Sequence, residues 1–338
     1  MTEKEILGDA AWLPHRYDEM SDAYRFLHLP RETQRAATFL TEEHLANTDA
    51  AVPVAFDRID RKALARAPIH YVFHSAYCCS TLVARMFDAP GRSMGLKEPV
   101  VLNDMVGWRR RGADPQKLAA VLDTALALLQ RPLGGDEAVV VKPSNIVNSL
   151  APAMMGIRPE ARAILLYAPI EDFLASIAVK GLWGRRWVRQ ALLGQVQDGV
   201  LAQQMSGEEL FELTDLQVAG LGWLSHHGIY KAMLERFGTE RIRICDSRSL
   251  LEDPALTVER SFTHFGMPLE QDAIAAIAGG PAFTRNSKDR SAYSREDREQ
   301  QIAATRAANG DEIAKVAEWV AAVAANAQID IRPPATLV

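Results

Sequence analysis

Cysteine is scarce in this chain: three in 338 residues, with Cys78 and Cys79 adjacent and Cys245 distant. An odd count that includes a neighbouring pair argues against a disulfide framework. Zinc spacing is missing as well, since there is no second cysteine pair and His226 and His227 are adjacent rather than a helical turn apart. No apolar run nears the roughly 18 residues that cross a bilayer. The opening Met1-Thr2-Glu3-Lys4-Glu5 lacks the apolar stretch of a signal peptide. The expectation is a reducing, cytoplasmic setting with no membrane partner. Positive charge is not in excess either: 38 Lys and Arg against 43 Asp and Glu leave a net charge of −5. Nucleic acid is therefore not an expected partner, and any anion site has to be a local feature. Internal repeats and low-complexity linkers are absent.

What is present is an ordinary globular composition, 48% hydrophobic and 24% charged, enough to build a core without metal or disulfide staples. Residues 1–66 read as a helical N-terminal extension, its clearest segment running from Arg31 to Ala46 behind Pro30. From Ile69 the pattern changes. Short β-rich runs at Ile69–Phe73, Ala138–Val141, Ala163–Tyr167 and Arg241–Cys245 alternate with helical patterns at Pro115–Gln130, Ile146–Met155, Ile170–Lys180 and Leu216–Phe237. Such alternation implies an α/β domain, residues 67–300, with a mostly parallel sheet covered on both faces. A helix from about Asp311 to Ala325 and a proline-bearing tail close the chain, residues 301–338. Parallel sheets bind ligands beyond the carboxyl ends of their strands, and the polar motifs fall there.

The first of them is the loop His74-Ser75-Ala76-Tyr77-Cys78-Cys79-Ser80-Thr81, between the first strand of the domain and an apolar helix. Small side chains let backbone N–H groups approach an anion, and Ser80 and Thr81 add hydroxyl donors. A Walker loop needs two glycines and a lysine that are not there. A helix start capped by Ser80 is the simpler alternative. Glu98, in Gly95-Leu96-Lys97-Glu98-Pro99, is a candidate general base or a surface carboxylate paired with Lys97. Lys142 ends the apolar run Val139–Val141, and Pro143 behind it disfavours helix, which puts a cation at a strand mouth. His74 is a further candidate base at the mouth of the first strand.

Taken in order, these elements resemble the sulfotransferase superfamily. Tyr77-Cys78-Cys79-Ser80-Thr81 is similar to its phosphosulfate-binding loop, with Tyr77 at the basic position and Cys79 at the glycine. Lys142-Pro143 resembles its Lys-x-Pro strand end. Ala163–Ser176 resembles the strand and helix that hold the donor's 3′-phosphate, with Ser176 matching and Tyr167 standing at the arginine. Arg241–Pro254 and His264-Phe265-Gly266-Met267 are similar to its late strand, turn and helix end. Arg285, Lys288 and Arg290 lie in order with its basic closing loop. The likeness spans roughly residues 69 to 295.

The resemblance implies a P-loop-type three-layer α/β fold and an enzyme that moves a sulfuryl group from PAPS to a hydroxyl or amine on a small-molecule or glycan acceptor, with no metal. It further implies that Ser75, Ala76, Tyr77, Cys78, Cys79, Ser80 and Thr81 hold the 5′-phosphosulfate. Lys142 would stabilise charge, Glu98 would take the proton, and Ser176, Arg285, Lys288 and Arg290 would hold the 3′-phosphate. Loss of the two signature cations leaves a noncatalytic anion- or nucleotide-binding module as the alternative. A P-loop kinase or NTPase is a third reading, opposed by the missing Walker lysine.

Overall fold

The computed structural model describes residues 2–135, 137–284 and 295–338. Two sheets organise it. The central one has five strands in the order β5-β6-β4-β7-β8, where β4 is Ile69–His74, β5 Ser93–Lys97, β6 Ala138–Lys142, β7 Ala163–Tyr167 and β8 Ile242–Asp246. Every pairing in it is parallel. β4, β5, β6 and β7 are buried along their whole length, as strands covered by helices on both faces must be. From β4 the chain crosses to the β5 edge, returns to β6 and then passes to β7 on the other side of β4. That reversal opens a crevice at the carboxyl end of β4.

The N-terminal extension corrects the sequence reading. Only Glu3–Gly8 and Arg31–Ala36 are α-helical, and the rest of the regular structure is chiefly an antiparallel sheet of β1 (Trp12–Asp18), β2 (Ala23–His28) and β3 (Val52–Ala55). Its alternation is hidden by Pro14 and by a register shift between Pro14 and Arg16 that leaves His15 as an extra residue. The helix expected to reach Ala46 stops at Ala36 because the chain turns to dock on the central sheet: the Leu40 amide donates to the Lys97 carbonyl at 2.7 Å.

In the α/β domain the expected runs form their elements, Ile146–Met155 excepted, while β5 and helices such as Val101–Arg110 and Gly181–Asp198 come in addition. β5 went unread because Ser93-Met94-Gly95-Leu96-Lys97 is short and has no β-branched residue. The stretch Ile146–Met155 is a 3₁₀ turn, Asn145–Leu150, followed by an α-helix, Ala151–Ile157, with Pro152 in its first turn, where a missing N–H costs nothing. Asp246 and Asp253 cap the helices Ser247–Glu252 and Pro254–His264. The last helix, Arg295–Asn326, is kinked at Asn309. Among the described residues no helix is long and apolar enough to cross a membrane.

One glycine fixes the distance between the loop helix and the sheet. A Cβ at Gly95 of β5 would sit 2.0 Å from the Ala84 carbonyl oxygen, a backbone atom that cannot step aside. Gly95→Ala is therefore expected to cost about 3 kcal/mol by overpacking, read as a lowered urea midpoint. An unchanged midpoint would mean that the Ser80–Met86 helix is free to move.

Candidate functional site

The crevice at β4 is lined by residues from three strand ends. β4 finishes at His74, whose ring is held on both sides. Its Nδ1 accepts from the Ala76 amide at 3.1 Å, which places the ring proton on Nε2, 3.1 Å from the Pro143 carbonyl oxygen. The Asn148 side-chain amide donates to the His74 carbonyl at 2.9 Å. His74 thus stitches the loop to the exit of β6, and its nitrogens serve that purpose rather than standing toward the crevice.

The loop itself is strained. Ala76, Tyr77 and Cys79 all have positive φ, at 71°, 53° and 62°, and so does Glu98, at 54°. Each such residue costs roughly 1–2 kcal/mol relative to a right-handed one. Eight non-glycine residues among those described have positive φ, and half of them cluster at this one crevice. Strain of this kind persists where surrounding structure enforces it, and it gathers at functional sites.

Not every loop residue faces outward. The Ser75 amide donates to the Leu166 carbonyl at 3.0 Å. Its hydroxyl has no hydrogen-bond partner and lines a small cavity of about 20 Å³ with Trp187, Gln195 and His226, room for about one water. Ser75 and Ala76 therefore spend their amides on holding the loop. Ser80 and Thr81 are buried at the start of the helix, where no side chain caps the first turn, and first-turn N–H groups have no carbonyl within a helix to bond. Tyr77 packs edge-on against Trp187, with ring centroids 5.3 Å apart, and against Phe173 at 6.1 Å. Burial pushes its phenol up to about 12, so it is a neutral group at physiological pH. Cys78 is buried, with Sγ 3.5 Å from the Leu166 carbonyl oxygen.

Beside the loop, Lys142 and Glu98 form an ion pair through Nζ and Oε1. Parallel register sets Lys97 opposite Lys142, and the next amide, that of Glu98, donates to the Lys142 carbonyl at 2.7 Å. Backbone and side chain of Glu98 are both fixed on Lys142. The lysine side chain is 1% exposed and the glutamate 18%, so the carboxylate is the more accessible member of the pair. The alternative partner, Lys97, turns away and donates to the Gln34 and Arg35 carbonyls at 3.0 and 2.9 Å. Phe39 lies 5.1 Å from the Lys142 ammonium, a contact made possible by the early end of the Arg31–Ala36 helix. Nothing in the local sequence announced Phe39. Nor did anything announce Asn148, which is fully buried and joins His74 to His226.

The remaining sequence candidates lie elsewhere. Ser176 sits on the helix Ile170–Val179 and donates to the Asp172 carbonyl at 2.8 Å. Tyr167, at the end of β7, is buried against Trp223 and His227. Burial, reinforced by Asp246, pushes its phenol up to about 12. It borders a cleft of about 730 Å³ shared with Asp246, Arg248 and Ser249. On the helix Gly181–Asp198, Arg189 is bonded to Asp215 at 2.6 Å, and Arg185 lies 3.6 Å from Asp215 and 3.9 Å from Glu312. Arg285, Lys288 and Arg290 fall outside the described residues.

No family profile matches the chain, and no curated protein does. Solved structures do. A sulfotransferase from Mycobacterium avium overlays with a TM-score of 0.44 at 14% identity, over 75% of this chain and 79% of that one. A sulfotransferase from Mycobacterium tuberculosis H37Rv overlays at 0.42 and 16%, over 72% and 78%. Retinol dehydratase in complex with androsterone and the inactive cofactor PAP overlays at 0.41 and 13%, over 81% and 85%.

Proposed function

We propose that this chain is a sulfotransferase-like enzyme that transfers a sulfuryl group from PAPS to a hydroxyl or amine acceptor. The observation that carries the reading is the Glu98–Lys142 pair at the mouth of the β4 crevice, beside a strained loop of small residues. The residues fit the 5′ end of the donor: first-turn N–H groups and the hydroxyls of Ser80 and Thr81 suit an anion. Lys142 has three N–H donors, so its bond to Glu98 leaves others to meet charge on the leaving oxygen. Glu98 receives the acceptor's proton as the acceptor oxygen or nitrogen bonds to sulfur and the bond from sulfur to the 5′-phosphate oxygen breaks. At the 3′ end Tyr167 supplies a phenol where the resemblance implies a cation. Ser176, Arg285, Lys288 and Arg290 are the residues we assign to that phosphate.

A noncatalytic anion-binding module is favoured by one specific feature. The tyrosines at the two signature positions, Tyr77 and Tyr167, are engaged in aromatic packing rather than in charge. An acceptor screen with labelled PAPS separates the readings. The enzyme transfers label, and Glu98→Gln, which keeps a hydrogen bond to Lys142, lowers turnover by about 10²–10⁴-fold without changing PAP affinity. Turnover unaltered in Glu98→Gln removes Glu98 as the base; PAP binding with no transfer to any acceptor favours the module.

A further inference from the structure

A further pocket, of about 400 Å³, opens on the N-terminal sheet and is lined by His15, Arg16, Arg25, Glu42, Thr48 and Asp49 among others. Its volume lies in the range of small-molecule sites. His15 is the extra residue of the β1 bulge, between the pairs Pro14–Phe26 and Arg16–Arg25. Bulges re-aim side chains, and they are common beside binding sites. The imidazole is 2% exposed, yet neither ring nitrogen has a hydrogen-bond partner. The nearest carboxylate oxygen, Glu42 Oε1, is 3.7 Å from Nε2, beyond bonding distance. A buried polar ring left in that condition is unfavourable unless something in the pocket meets it.

The neighbouring charges narrow what that something is. Arg16 and Arg25 are direct cross-strand partners, a like-charge arrangement that destabilises a sheet. Arg16 is balanced by a bidentate bond to Asp104, at 2.9 and 2.7 Å, and by Glu42. Arg25 is exposed at the pocket rim. Asp18, Glu42 and Asp49 line the same space, so a plain anion meets repulsion there, and the two guanidiniums oppose a cation. Among the described residues no group of three His, Cys, Asp or Glu side chains is arranged to hold a metal ion. Closely set donors and acceptors of both charges suit a neutral ligand whose groups both give and accept hydrogen bonds.

We propose that the His15 pocket binds a small hydroxyl-rich molecule of the sugar or polyol class, its hydroxyls donating to Glu42 and Asp49 and accepting from Arg25, with one bonded to the His15 ring. The assignment is independent of sulfuryl transfer and stands or falls on binding alone. The test is NMR of ¹⁵N-histidine-labelled protein titrated with D-glucose, D-mannose and myo-inositol, with sodium sulfate as the anion control. The His15 signals are identified by their loss in His15→Phe. The expected result is a saturable shift of His15 with at least one polyol. Affinity should fall tenfold or more in Arg25→Ala, which removes a charged hydrogen bond from an exposed position and, by relieving the repulsion with Arg16, does not lower the melting temperature. The proposal is overturned if no polyol shifts His15, if Arg25→Ala binds as tightly as the parent, or if sulfate alone produces the shift.

Discussion

Lys142→Ala is expected to lower sulfuryl-transfer turnover by about a hundredfold or more. The argument is one of charge placed before the reaction begins. Sulfuryl transfer resembles phosphoryl transfer in needing little covalent help and much positioning and charge stabilisation. The loop position that the resemblance assigns to a cation holds Tyr77, a neutral phenol packed on Trp187. Lys142 is the cation that the described strand ends bring beside the loop, at 1% exposure, where water screens little of its field. Removing it also leaves Glu98 without its partner. Loss of one member of a fully buried pair costs about 3–5 kcal/mol. Here the carboxylate is 18% exposed and can recover hydration, so the stability cost is expected nearer 1–3 kcal/mol. Lys142→Met keeps the apolar stem and separates the two effects. A hundredfold loss of turnover in a Met variant with near-parental stability supports the assignment, and full turnover in that variant removes Lys142 from the mechanism.

Acid is expected to unfold the protein between about pH 5.5 and pH 3.5, driven by four buried histidines. His70 stacks on Phe265 at 4.7 Å and accepts from the Arg162 amide. His264 lies 3.1 Å from the Ala163 carbonyl oxygen. His226 sits between Asn148 and Gln195, and His227 lies 3.7 Å from the Trp223 ring. Burial is the leading cause in each case and lowers the first three to about 4 and His227 to about 3. The folded values lie below the ordinary 6.5, so between pH 6.5 and 4 the unfolded chain binds more protons. Stability from this source is complete above pH 6.5 and is lost as pH falls toward the folded values. One proton contributes about 1.4 kcal/mol per pH unit, so four approach about 5 kcal/mol per unit near pH 5. Against a total stability of about 5–15 kcal/mol, one to three units suffice. Far-UV circular dichroism and tryptophan fluorescence against pH check this. Native signals retained at pH 3.5 would contradict it.

What could be read beforehand followed the reach of each signal. β6 and β7 are apolar runs cut off by Lys142-Pro143 and by Ala168-Pro169, and β8 is a β-branched alternation cut off by Asp246-Ser247; patterns of that kind announce themselves locally. The N-terminal sheet did not, because the His15 bulge and Pro14 break its alternation. Lys142 was legible as a cation at a strand end, and Glu98 as a candidate base in Gly95–Pro99. Their pairing was not, because it depends on the register that sets Lys97 opposite Lys142 across 45 positions of chain. His74 was read as a candidate base because it stands next to the loop, but its hydrogen bonds to Ala76 and Pro143 arise only once β4 and β6 are adjacent. Phe39 and Asn148 lie on segments whose placement is decided by docking rather than by local propensity.

Calorimetric titration of the whole chain with PAP, beside ATP with and without magnesium, tests the central claim most directly. The account predicts micromolar PAP binding that requires no metal. Absence of PAP binding by a folded sample would contradict it and leave a strained anion loop of other use.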